Sequence, residues 1–422
     1  MRSAALIPAS LTAALCIGVA PAAARDESAD APETQVSAVL MTGALGRYSM
    51  TRESSGTSWE PDVSPHVGLM TQTTGWLVMA HALVNAVYDD QGGPRGDQKA
   101  FASGMVMLMA DRPTADGAMI GLRAMLSPDP LMGPRGYPLL LATGETANGR
   151  TPLIDRQHPH DLFMELAASY SRSVSDDDGL FVYVGLPGEP AFGPPAFMHR
   201  RSGMDLPEAP ISHHWLDSTH IAFGVATLGW VHGPWKFDAS AFNGREPDQY
   251  RWNIETGPLS SWSGRITFNP TRSWSLQAST AKLVSPEHFE PGVDQKRWSI
   301  SAMYTRQLGT VGLLSATLAW GRKALEPGPA LDAWLAEASV SPDAHWTLLT
   351  RAEWVEQNEL ASSGVVRAVG KLSVGAIYDL PLLQHWKFGL GALASAYRIP
   401  SALAPIYGRP LSAMAFVRLK LS

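Results

Sequence analysis

The feature that most restricts this chain is a repeated alternation. In WSISAMYTR, Trp298, Ile300, Ala302 and Tyr304 share one parity, and Ser299, Ser301, Met303 and Thr305 the other. In HWKFGLGALASAY, Trp386, Phe388, Leu390, Ala392 and Ala394 oppose Lys387, Gly389, Gly391 and Ser395. A period of two belongs to a strand with two unlike faces. Sixteen such segments lie near 76–88, 100–111, 117–127, 161–173, 178–186, 217–230, 232–243, 259–270, 272–284, 296–307, 310–322, 331–341, 344–357, 364–379, 384–398 and 410–421. Their connections alternate in length. PTADG, SVSDDD, HGP, NPTRS, QLGT and SPDA are short; DDQGGPRGDQK, 128–160, 187–216, 244–258, SPEHFEPGVDQ, RKALEPGPALD and the stretch around PSALAPIYGRP are long.

An even number of strands with alternating short and long connections predicts an all-β fold. The expected architecture is a transmembrane up-and-down antiparallel β-barrel of about 16 strands, with long extracellular loops. Apolar side chains would face lipid and polar ones the lumen. Trp235, Trp274, Trp346 and Trp386 open strands just after short turns, where an aromatic girdle belongs. A soluble sandwich or propeller leaves the alternating loop lengths unexplained, and the chain shows no blade-like repeat.

The beginning of the chain, MRSAALIPASLTAALCIGVAPAAARDE, has one arginine, an apolar run and small residues at Ala22-Ala23-Ala24. The expectation is a signal peptide over 1–24, which contains the sole cysteine, Cys16. Residues 25–75 read as a polar segment, a periplasmic tail or a plug, and 76–422 as the barrel of a Gram-negative cell outer membrane. Beyond the first segment no run of 18 residues is continuously apolar, which argues against a spanning helix. A net charge of −6 without a basic run argues against nucleic acid. The expected partners are outer-membrane lipid, the barrel-assembly machinery, and a small solute or metal ion.

Several motifs carry a resemblance. SSGTSWEPDVSPH at 54–66, GYPLLLATGET at 136–146, DRQHPHDLFMEL at 155–166, GLPGEPAFGPPAFMHR at 185–200, HHWLDSTHI at 213–221 and FNGREPD at 242–248 resemble a family of bacterial outer-membrane β-barrel proteins of unassigned activity. The resemblance implies a gene context of copper and other heavy metals. It supplies no catalytic residue.

The site must therefore come from the residues themselves. His158, His160, His199, His213, His214 and His220, half of the twelve histidines, fall at the expected outer rims of neighbouring strands, with His220 at a strand start. Neutral imidazole is a common metal ligand, and Asp155, Asp161, Asp205 and Asp217 could be orienting partners. The competing reading is a lock, in which these groups and Arg156, Arg200 and Arg201 tie two loops together.

Thirteen of sixteen methionines fall between 41 and 204. Parity sends Met79 and His81, then Met105, Met107 and Met109, then Met119 and Met125 into the lumen, and Met164 to lipid. Thioethers are soft ligands that favour Cu(I), with imidazole a good companion. Filling against an inner plug is the alternative. The expected function is an outer-membrane channel or transport protein handling copper or another soft metal. A general porin is the second reading. A barrel hydrolase built on Ser218 and His220 is the third; no catalytic or organic-cofactor residue is assigned.

Overall fold

The computed structural model describes residues 42–421 except 66, 362 and 363. The proposed signal peptide, and the 25–41 part of the following segment, lie outside the described residues. Nineteen strands occur in the described residues. They are β1 (Leu69–Thr73), β2 (Trp76–Gln91), β3 (Gln98–Pro113), β4 (Ala118–Leu126), β5 (Tyr137–Thr146), β6 (Pro152–Gln157), β7 (Phe163–Ser173), β8 (Asp178–Gly185), β9 (Val225–His232), β10 (Trp235–Phe242), β11 (Ser261–Thr271), β12 (Trp274–Leu283), β13 (Asp294–Leu308), β14 (Gly312–Glu326), β15 (Ala330–Ser341), β16 (Trp346–Gln357), β17 (Arg367–Leu383), β18 (Trp386–Arg398) and β19 (Leu411–Leu421). The helical turns α1 (His213–Leu216) and α2 (Ala404–Tyr407) are four residues each.

Each of the sixteen expected segments overlaps one strand of the barrel. β2, β3, β4 and β7 through β19 pair antiparallel with their neighbours, and β19 closes on β2 from Ser412↔Gln91 to Lys420↔Leu83. Closure pairs the edge strands, the condition for putting sheet backbone in hydrocarbon. The short β1 pairs with the start of β2, and β5 and β6 form a separate hairpin inside the loop expected over 128–160.

The alternation is borne out in burial. On β3, Val106 and Leu108 are 47% and 53% exposed while Met105 and Met107 are 2% and 5% exposed. On β18, Leu390 is exposed and Ser395 buried. Aromatic residues after the short turns pair across strands. Trp235 stacks on its register partner Phe268 at 4.0 Å, and Trp274 and Trp346 meet Tyr304 and Tyr378 at 4.8 and 4.9 Å. The closed barrel with its apolar outer belt belongs to an outer membrane.

Three expectations need correction. The segment at 217–230 becomes strand only from Val225; Ser218–His220 is a 3₁₀ turn folded inward. RKALEPGPALD is no long loop, because β14 and β15 pair as far as Ala324↔Ala330 and leave only a short connection at the tip. Met164 does not face lipid: it is fully buried, because the β4–β7 register shifts between Met125 and Leu126. Such a bulge sets two residues against one, so adjacent residues on one strand can both turn inward.

The lumen is packed. Arg123, Thr227, Asp238, Arg265, Gln277, Ser301, Arg351, Lys371 and Arg418, all on barrel strands, are buried. Two stretches cover them. The first is 42–65, where Arg123 donates to Gly56 O (2.6 Å), Thr57 donates to Asp238 (2.7 Å), and Trp59 packs between Tyr48 and the cations of Arg52 and Lys236. The second is the connection from β8 to β9, residues 186–224. Its Arg200 reaches Glu337 (2.6 Å), Glu208 accepts from Lys371 (2.6 Å), and Asp205 pairs with Arg418 and Lys420. Gly321 on β14 allows this approach: a Cβ there would lie 2.6 Å from Trp215 O.

Candidate functional site

Five histidines converge in this packed interior. Ring centroids are 6.5 Å apart for His158–His160, 6.1 Å for His158–His214, 5.7 Å for His213–His214, 5.2 Å for His160–His220 and 5.1 Å for His213–His220. All five are buried, so they lie inside the barrel's contents and not on an exposed rim. Two sequence neighbourhoods supply them. His158 and His160 flank Pro159 between β6 and β7; His213 and His214 are in α1; His220 ends the following turn. Gly144 on β5 makes room for the cluster, since a Cβ there would meet His214 at 2.7 Å.

The hydrogen bonds fix the tautomers. His160 Nδ1 lies 2.7 Å from Asp129 Oδ2, His213 Nδ1 2.8 Å from Asp217 Oδ1, His220 Nδ1 2.7 Å from Asp217 O, and His158 Nδ1 3.1 Å from Pro159 O. A carbonyl or carboxylate oxygen only accepts, so each Nδ1 carries the hydrogen. In the neutral ring Nε2 then keeps its lone pair. The Nε2 atoms of His160, His214 and His220 are buried without a hydrogen-bond partner. Burial pushes His213 down, and pushes His158 and His220 well below the usual histidine range. Burial alone would raise Asp217, but His213 and Arg200 outweigh it and hold the carboxylate ionised.

The aspartates divide by role. Of those marked in the sequence, Asp217 orients histidines. Asp155 pairs with Arg95 and Tyr407, Asp161 with Arg251, and Asp205 with Arg418 and Lys420. Asp129, which holds His160, was not singled out, nor was Glu246, 3.3 Å from His214 Nδ1. Asp129 opens a 3₁₀ turn, Asp129–Met132, and Glu246 lies in an irregular loop, and no periodicity marks either as a partner. Arg200 pairs with Asp217 and Glu337, Arg156 with Asp97, and Arg201 donates to Met204 Sδ. Among the described residues, no three His, Cys, Asp or Glu side chains have donor atoms already spaced to hold a metal ion.

The second assembly is built on β2, β3 and β4. Met79 faces Met109, which faces Arg123; one step along, His81 faces Met107, which faces Met125. Directly opposed residues of an antiparallel pair have Cβ atoms about 5 Å apart, so these side chains form two contiguous rows. Met79, Met105, Met107, Met109, Met125 and Met164 pack in one buried cluster with Ile221 and Phe223, joined by Met198. His199 Nε2 lies 3.2 Å from Met125 Sδ. Burial, with His81 and Arg123 adding to it, pushes His199 down to about 3. A small cavity of about 70 Å³ opens here, lined by Met79, His81, Met107, Met109, His199 and Met204 among others. Met119 shares the inward parity but is only half-buried and stays outside the cluster.

Ser218 does not pair with a histidine. Its Oγ accepts from Arg297 (2.8 Å), and His220 bonds the Asp217 backbone carbonyl. The strand-face argument that put Ser218 and His220 side by side falls with the 3₁₀ turn.

A larger cavity of about 560 Å³ lies among the long loops, with Glu145, Glu246, Asp248, Glu255, Glu287 and Glu359 in its lining. Burial raises Glu145 well above the carboxylate range, against the pull of Arg251. Burial acts on Glu246 in the same direction, but His214, Arg297 and Lys323 outweigh it and bring Glu246 down to about 2.

No family model matches this chain, and no characterised protein sequence does. Solved outer-membrane barrels match in structure. OmpF from Salmonella typhi, in a complex with daunomycin, aligns with a TM-score of 0.52 at 9% identity, over 84% of this chain and 100% of that one. OprB from Pseudomonas putida aligns with a TM-score of 0.51 at 9% identity, over 82% of this chain and 94% of that one. At such identities the likeness is one of fold: this is an outer-membrane β-barrel closed by 16 antiparallel strands.

Proposed function

We propose that this barrel serves as a channel or transport protein that handles a soft metal ion, copper first, through its methionine wall. The observation that carries the reading is the pair of contiguous rows on β2–β4, Met79–Met109 and His81–Met107–Met125: Met79, His81, Met107 and Met109 line a small cavity together with His199, and Met125 touches His199. Thioether sulfur with imidazole is the donor set that suits Cu(I). The copper and heavy-metal gene context implied by the motif resemblance agrees with it. Residues 42–65 act here as part of the lumen filling.

A general porin is the second reading, favoured by the polar and charged walls and by a long loop folded into the barrel. Replacing Met105, Met107 and Met109 together with leucine separates the two. Leucine keeps the apolar bulk, so the barrel should assemble. Cu(I) retention, measured by chelator competition on the folded protein in detergent, should fall at least tenfold. A triple variant that binds and tolerates copper like the parent, together with a steady ohmic conductance in planar bilayers, would leave the porin reading standing.

A further inference from the structure

We propose that His160, His213 and His220 form a second metal site, distinct from the methionine wall, for a borderline divalent transition-metal ion bound through the three Nε2 atoms. Imidazole nitrogen without thiolate or thioether suits the Zn(II), Co(II) and Cu(II) class.

The spacing supports it. Two imidazoles on one tetrahedral ion, each with a metal–nitrogen bond of about 2.0–2.1 Å, have ring centroids roughly 5 Å apart. His160–His220 and His213–His220 stand at 5.2 and 5.1 Å. The donor atoms do not converge on one point in this structure, so the proposal requires the rings to turn about their Nδ1 hydrogen bonds when the ion binds.

The surroundings support it independently. A ligating histidine characteristically gives its other N–H to a carboxylate or carbonyl, which fixes the ring and raises its basicity. Here Asp129 does this for His160, and Asp217 does it twice, by its carboxylate for His213 and its carbonyl for His220. A histidine serving only as a lock would use both nitrogens, yet Nε2 of His160 and of His220 is buried and unpartnered. Phe197 lies 6.0, 5.5 and 6.3 Å from the three rings, a dry cover on one side. Two residues on, His199 touches Met125, so this short stretch separates the imidazole site from the thioether site. Access comes from the acidic cavity. Glu145 and Glu246 line it, and the same side chains lie 3.5 Å from His158 Nε2 and 3.3 Å from His214 Nδ1.

The test uses the full-length protein, made without a polyhistidine tag and folded in detergent. Co(II) is titrated and followed by its visible absorption, and the Cu(II)-loaded protein is examined by electron paramagnetic resonance. The wild type should take up Co(II) in a low-symmetry nitrogen site and show coupling of Cu(II) to imidazole nitrogens. His213→Gln and His220→Gln should each weaken Co(II) binding at least tenfold. Asp129→Asn should weaken it about tenfold or more through loss of ring orientation. The Met105, Met107 and Met109 to leucine variant should bind Co(II) like the parent, which separates failure of this site from failure of the Cu(I) reading. Folded histidine variants that keep parental Co(II) affinity overturn the proposal. If those variants fail to fold, the wild-type spectrum decides alone: Cu(II) without nitrogen coupling overturns it.

Discussion

Two walls of one barrel show what the same fold position can be used for. On β2–β4 the inward residues include Met79, His81, Met105, Met107, Met109 and Met125, with Arg123 as the charge among them. On β14–β19 they include Lys323, Glu337, Arg351, Glu353, Lys371, Arg418 and Lys420. Both sets follow the period of two. Most of the charged wall is matched to the 186–224 loop over it: Glu337 takes Arg200 and Ser202; Arg351 donates to Glu208 O; Lys371 takes Glu208; Glu353 takes Ser212; Arg418 and Lys420 take Asp205. Complementary charges fix where each loop residue must sit. The methionine side chains of the other wall pack mainly on one another and on Ile221 and Phe223, contacts that are adaptable and largely directionless, while Arg123 among them is tied to Gly56 and Glu53. One wall specifies a conformation; the other offers donors.

The largest effect should come from breaking the charged wall. Glu337→Ala leaves Arg200 and Arg351 buried without their shared carboxylate and should cost about 3–5 kcal/mol. Denaturant unfolding in detergent measures it, and the 186–224 loop should become protease-sensitive. A loss below about 1 kcal/mol would mean that the loop is held by packing instead.

The outer faces should not distinguish the two walls. Leu108→Arg on the methionine side and Leu390→Arg on the charged side should each cost about 2–4 kcal/mol in lipid. A clear inequality between them would show that the walls differ outside the lumen as well.

Exchange within the methionine wall should be milder. Each of Met105→Leu, Met107→Leu and Met109→Leu should cost less than about 1.5 kcal/mol in unfolding measurements. Larger losses would mark these side chains as a closely fitted core.

A pH-dependent effect concerns Glu189, a carboxyl in the loop that is not held ionised. Burial pushes it up to about 8 against the pull of Arg265 and Ser55, from an ordinary 4.5. The folded protein then keeps a proton that the unfolded chain releases. The contribution is full below about 4.5 and is lost as pH rises toward 8, so stability should fall across that window. Glu189→Gln should flatten the fall, because an amide has no proton to release in this window. Unfolding midpoints at pH 5 and pH 8 that shift equally in parent and variant would contradict this.

The wall was legible in the sequence because alternation is local. Val106 and Leu108 declare a lipid face, and the inward placing of Met105, Met107 and Met109 follows from that pair alone. The contents of the lumen were less legible. The bulge at Met164 changes parity by one residue without changing composition. The inward turn at Ser218–His220 looks like a strand start because its residues alternate by chance. Asp129 reaches His160 across 31 residues, and no periodic signal carries such a pairing. DRQHPHD itself proves to have two uses. Asp155, Arg156 and Asp161 tie loops to Arg95, Asp97 and Arg251, while His158 and His160 turn inward to the imidazole cluster.

A closed hoop of strands cannot widen without breaking its ladder, so any motion in the lumen must come from what fills it. On the proposed metal-handling reading, an ion moving inward from the acidic cavity would exchange its water shell for side-chain donors step by step, each step waiting on a displacement of the loop. Passage of that kind saturates with concentration, slows steeply on cooling, and discriminates by donor preference instead of hydrated radius. Those would be the kinetics of a carrier, and a steady unsaturated conductance would speak for the porin reading instead.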